Sequence, residues 1–219
     1  MGALTDMTRS IAFLCALALA CAFGMLAFRN PRLSLRAYAA QSILLGLAAF
    51  SLASGAGEPA LWAFAALAVL IKGFVVPAIL GQAAEASGSE RAPSPFVSYP
   101  LSMLAGAGFA LLSYAVVGPL AGERPAAARG FALALTLMQM GLWIMVSRRR
   151  ALMQALGLLV VENGLFVAAL ATGFGMPMVV ELGLAFDLLV AVGVLGILIS
   201  RIHGVLSSAD TARLNRLRG

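Results

Sequence analysis

Seven stretches of this chain are long and apolar enough to cross a bilayer: roughly residues 10–28, 37–56, 60–81, 97–118, 128–147, 151–172 and 178–201. A spanning helix needs about 20 mainly apolar residues. Breaks rich in Gly, Pro or charge separate the runs, at Asn30-Pro31, Gly55 to Pro59, Ser87 to Pro95, Gly122 to Pro125 and Gly173 to Pro177. In hydrocarbon every backbone N–H and C=O must be satisfied inside the protein, so such runs are helices or strands of a closed barrel. Their length and their lack of period-two alternation select helices. The expected fold is all-α: a polytopic integral membrane protein with about seven transmembrane helices.

Composition agrees. Hydrophobic residues make up 62% of the chain and charged residues 11%, with a mean hydropathy of +0.98. A soluble domain has about 45–50% and about 25% respectively. No separate soluble domain of useful size is left over. The net charge of +6 could suit nucleic acid, but the basic residues sit in short loops, as membrane topology requires. No helix-turn-helix or RNA-binding signature stands against that reading, so the expected partner is the lipid bilayer and not nucleic acid. Residues 11–28 have the outline of a secretory signal. The apolar run continues through Phe28 into a basic stop (Arg29, Arg32, Arg36), which makes it a first span.

Orientation follows from the arginines. Arg29, Arg32, Arg36, Arg91, Arg148, Arg149, Arg150, Arg201, Arg213, Arg216 and Arg218 fall on one side, against Arg9, Arg124 and Arg129 on the other. The positive-inside rule then places the N-terminus outside and the C-terminus in the cytoplasm.

The sequence offers no ligand cluster for a metal or cofactor. Cys15 and Cys21 both lie in the first span, six residues and ~600° apart around a helix, and read as packing residues. There is no CxxC, CxxxC or His/Cys cluster, so no iron–sulfur cluster, haem or structural zinc is expected in this chain. His203, the sole histidine, stands beside Arg201 at a helix end and reads as interfacial.

The chemistry lies in a few charges placed at membrane depth, where each is costly and a functional candidate by default. Glu162 is 12 residues past Arg150, a rise of ~18 Å, which puts it near the bilayer middle. A carboxylate there needs a raised pKa or a partner; either suits a group that takes up and releases a proton. Its bland counterpart is a neutral carboxyl serving as an interhelical hydrogen-bond donor. Asp187 lies deep in the seventh run. Glu181, six residues earlier, sits at that helix's N-terminus, where negative charge is stabilised. Glu181 and Asp187 do not share a face. Lys72, followed by Gly73 and Pro77, is placed past the middle of the third run. It either snorkels to the interface or faces the interior and pairs with a carboxylate. Pro77 predicts a kink. Gly106 and Gly108 predict close helix packing, and Gln139 a bond across helices. The 82–96 loop reads as a solvated connector. The tail can form a short basic helix on anionic lipid or on a cytoplasmic subunit.

The run GLLVVENGLF from Gly157 to Phe166, the segments MPMVVELG from Met176 and FDLLV from Phe186, and the end Arg201-Ile-His203 resemble the E component of hydrogenase 4. That family supplies a membrane subunit to multi-subunit hydrogenases of the formate hydrogenlyase group. Lys72-Gly73 with Pro77 also fits it, and the resemblance runs along the whole chain. Helices 5 to 7 are similar to the K subunit of bacterial complex I and to the C subunit of multi-subunit sodium/proton antiporters. In those proteins a basic loop precedes a helix with a buried glutamate and a helix with a second carboxylate. Arg148 to Arg150 match the loop and Glu162 the first glutamate. Asp187 stands in place of the second, a departure in residue type that leaves Asp187 and Glu181 both open.

The resemblance implies four N-terminal helices over 1–127, a K-subunit-like three-helix unit over 128–203 and a cytoplasmic tail over 204–219. It implies a non-catalytic membrane-arm subunit of a hydrogenase or complex I-like oxidoreductase. Its carboxylates would join a proton path, with Glu162 central, Asp187 next, and Glu181 and Lys72 lesser. Nickel–iron and iron–sulfur centres would belong to partner subunits. The partners implied are antiporter-like membrane subunits and peripheral redox subunits. Two other classes stay open: a passive membrane scaffold, and a stand-alone transporter with a midplane site. No inverted repeat is visible, which counts against the transporter.

Overall fold

The computed structural model describes residues 2–56, 59–86, 95–120, 122 and 125–172. The described residues are helical, with no strand. Helix α1 (Gly2–Ala27) is followed by α2 (Pro31–Ala56). Then α3 (Pro59–Ala68), a π-helical segment (Val69–Val75) and α4 (Val76–Ala86) run on without a break as one rod. Helix α5 (Tyr99–Val117) ends in a 3-10 turn, and α6 (Pro125–Ser147) and α7 (Ala151–Ala171) complete the described part. Six of these helical rods are long and apolar enough to span a membrane. The expected seventh span, 178–201, lies outside the described residues, as do Glu181, Asp187, Arg201, His203 and the tail.

Helix α2 begins six residues before its expected start. Asn30 caps it: its Oδ1 accepts the Arg32 N–H at 2.9 Å, and its carbonyl accepts from Leu33 and Ser34. Pro31 at the first helical position costs nothing, because that N–H would have no partner anyway. Arg32 and Arg36 therefore belong to the first turns of α2 and not to a loop.

The third rod also runs further than expected, to Ala86, so Lys72 is at its middle and not toward one end. The irregularity predicted at Pro77 lies just before it. Proline donates no hydrogen bond, and its ring crowds the carbonyl four residues back, here Gly73. Widening the preceding turn relieves this: the Val76 N–H bonds to Ile71 O, five residues back.

Helices α6 and α7 make the most extensive pairing, followed by α1 with α2. Helix α2 also touches the third rod and α7, and α1 touches α5 and α6. The inner face of α1 is Cys15, Ala18, Ala22, Met25 and Leu26, the spacing of one helical stripe. Helix α5 is turned inside out relative to a soluble helix. Ser102, Gly106 and Ser113 are buried while Leu101, Leu104, Leu111 and Leu112 are exposed. Lipid is as apolar as leucine, so small residues go to the helix interface and large apolar ones face outward.

The tightest seam is glycine-made. A Cβ on Gly141 would lie 2.5 Å from Gly157 O, and one on Gly157 would lie 2.6 Å from Gly141 O. Gly164, one heptad beyond Gly157, faces Ala134 O in the same way. Gly106 packs as expected against Leu26, but Gly108 has nothing within 4 Å. Gln139 does bond across helices, accepting from Ser113 Oγ at 3.4 Å.

Candidate functional site

Glu162 sits twelve residues into α7, counted from its basic end, and is 1% exposed. Lys72 is fourteen residues from the end of α4, so both groups lie about 20 Å from that end of the bundle. Their side chains meet: Lys72 Nζ is 2.8 Å from Glu162 Oε1. The lysine is buried and does not snorkel. Two features aim it. Gly73 lets the π segment approach α2, since a Cβ there would lie 2.8 Å from Ile43 Cγ1. The π turn also sets Lys72 against α7, where its ammonium lies 5.6 Å from the Phe166 ring centroid, one turn from Glu162.

The α6–α7 glycine seam holds the other partner. Glu162 lies between Gly157 and Gly164 in sequence and about 140–160° around α7 from the face they share, so close backbone contact with α6 on that face turns Glu162 toward the third rod. Glu162 Oε2 has no hydrogen-bond partner among the described residues. Two opposite charges at 2.8 Å in a low-dielectric interior stay ionised only as a pair, and removing either strands the other. Such a pair can respond to a single proton: protonating the carboxylate removes the countercharge that Glu162 gives the ammonium.

Beside the pair runs a chain of neutral hydrogen bonds. Asn163 Nδ2 donates to Gln41 Oε1 at 3.1 Å and lies 3.2 Å from Ser42 Oγ. Gln41 Nε2 donates to Ala18 O at 3.1 Å. This ties α7 to α2 and α2 to α1, and all of its side chains are buried. Sequence reasoning missed Gln41 and Ser42. With α2 taken to start near 37, Gln41 falls at the membrane surface. With the observed start at Pro31 it is ten residues, or ~15 Å, inside.

Of the four predicted site residues, the structure brings Lys72 and Glu162 together. Asp187 and Glu181 lie outside the described residues. Among the described residues no three His, Cys, Asp or Glu side chains cluster. Cys15 and Cys21 are free thiols, one buried and one half-buried.

Similar proteins exist in bacteria. The uncharacterized protein Rv0085 of Mycobacterium tuberculosis is 32% identical over 155 residues, 69% of this chain and 70% of that protein. Hydrogenase-4 component E of Escherichia coli K12 is 30% identical over 203 residues, 89% of this chain and 91% of its own. The same component of Shigella flexneri matches over the same extent. No family model matches the chain, and no solved structure does.

Proposed function

The chain belongs to the hydrogenase-4 component E family, and on that premise we propose that it is a multi-pass membrane subunit of a hydrogenase-type complex and carries part of its proton path. The observation that carries this reading is the buried Lys72–Glu162 pair at mid-bundle. A passive helix contact has no need of an ion pair in the most costly place for one.

In this reading Glu162 is the central station. A proton arriving at its carboxylate neutralises it and removes that countercharge from Lys72, which releases its own proton onward. The π turn at Val69–Val75 supports the exchange, since such turns leave backbone bonds loose and frequently mark functional sites. Asp187 is the next station and Glu181 the lesser candidate, on the likeness of the last three helices to the complex I K subunit. Redox centres, nickel–iron and iron–sulfur, are assigned to peripheral partner subunits, and the neighbours in the membrane to antiporter-like subunits. The basic end of the bundle faces the cytoplasm, with the N-terminus outside.

The test is Glu162→Gln in the native host, with assembled complex, redox turnover and proton translocation measured together. The amide keeps an acceptor for Lys72, so assembly should be normal while translocation is lost. Undiminished translocation in a normally assembled complex would overturn the relay and leave the pair as a scaffold contact. A chain that purifies free of redox subunits would point to a stand-alone transporter.

A further inference from the structure

At the basic end of the bundle, the loop joining α6 to α7 meets the end of α1 and the starts of α2 and α5. A shallow pocket there is lined by Phe28, Arg29, Tyr99, Arg148, Arg149 and Arg150, among others, and among the described residues no carboxylate lines it. Arg148 is 4% exposed. Its Nη2 donates to Leu26 O at 2.7 Å, satisfying a carbonyl that the end of α1 leaves open. Its guanidinium lies over the Tyr99 ring, 4.2 Å from the centroid. Its Nε and Nη1 have no hydrogen-bond partner among the described residues. Burial lowers its pKa, with the Tyr99 phenol acting in the opposite direction. A guanidinium starts high enough to remain charged.

A buried, charged fork with unused donors, ringed by three more arginines, is a site for an oxyanion. The geometry points to a phosphate group, held as the headgroup of an anionic membrane lipid. The lipid source follows from the pocket's rim. Phe96, 64% exposed, carries Arg149 over its ring at 4.1 Å, and the exposed Phe28 stands beside Arg29. Charge and bare aromatic surface lie side by side where the spans end, the arrangement that meets a phosphodiester and the top of its acyl chains together. A soluble phosphate would make no use of the rings.

The test uses the full chain purified in mild detergent. Arg29 and Arg149 are exposed, so the double variant Arg29→Gln/Arg149→Gln should keep the fold even where Arg148→Gln, which also removes the Leu26 bond, does not. Lipid phosphorus per chain is measured after a delipidating wash. Phosphatidylglycerol, phosphatidylcholine or inorganic phosphate is then added back. We expect wild type to hold phosphatidylglycerol in preference to phosphatidylcholine, and the double variant to bind it at least about tenfold more weakly. Equal retention of both lipids, or wild-type affinity in the variant, overturns the site. Displacement of phosphatidylglycerol by millimolar inorganic phosphate overturns the lipid assignment. A variant that keeps its lipid but no longer copurifies with other subunits from the native host also overturns it, because the arginines would then hold a partner's carboxylate.

Discussion

Lys72 and Arg148 are both buried cations, and the chain treats them in opposite ways. Lys72, at mid-bundle, is matched by a full countercharge at 2.8 Å from another helix. Arg148, at the bundle end, receives one carbonyl and one aromatic face, with donors left over. Residue type suits each place. An ammonium changes its protonation readily when its surroundings change, whereas a guanidinium keeps its charge and offers a fixed fork. The proton exchange proposed for the one is therefore served by lysine, and the anion site proposed for the other by arginine. Depth decides the rest, because neutrality within the chain is needed only where neither water nor a headgroup can reach.

The hardest way to break that contrast is to remove one charge at mid-bundle. Glu162→Leu takes from Lys72 the countercharge and the acceptor that Glu162 supplies. Stranding one member of a buried pair costs about 3–5 kcal/mol, so the chain should fail to accumulate or should unfold at markedly lower temperature in detergent. Adding Lys72→Met should restore most of the lost stability without restoring translocation. A double variant as unstable as the single one would show that the pair is not the source of the loss.

A smaller effect is expected at the seam that sets the pair's geometry. Gly157→Ala places a methyl group 2.6 Å from Gly141 O, and backbone cannot move aside as a side-chain tip can. Overpacking of this kind costs about 1–3 kcal/mol. Helix α7 should be pushed off α6, lowering the thermal midpoint of the purified chain. Gly108→Ala, which meets nothing within 4 Å, is the matched control and should leave the midpoint unchanged. Equal losses from both would remove the seam from the account.

These glycines also show what a sequence conceals. Hydrophobic run length alone located the six spans among the described residues, and the cost of charge at depth singled out Glu162 and Lys72. Which glycines matter could not be read that way. Gly106 and Gly108 look alike in sequence, yet one faces Leu26 and the other faces nothing, because rotation about α5 is set by its neighbours. The partnership of Lys72 with Glu162 joins positions ninety residues apart, and no local pattern encodes it. Gln41 was hidden by a helix start misplaced by six residues. Arg148 read as one of three loop arginines that fix topology. Only packing shows it to be buried, against Tyr99 and the end of α1.

The smallest effect should come from Asn163, next to Glu162 in sequence but ~100° away around the helix. Asn163→Leu removes the bonds to Gln41 and Ser42. Polar contacts between membrane helices average about 0.6 kcal/mol, because the separated helices find other partners. The thermal midpoint should therefore shift only slightly and the complex should assemble. Proton translocation in the assembled complex decides more than stability does. If it is retained, Asn163, Gln41 and Ser42 are a tether between α7, α2 and α1, and the chemistry is confined to the charged pair. If it is lost with assembly intact, the neutral chain is itself part of the path. In that case the division between a charged station and a neutral brace no longer describes the middle of this bundle.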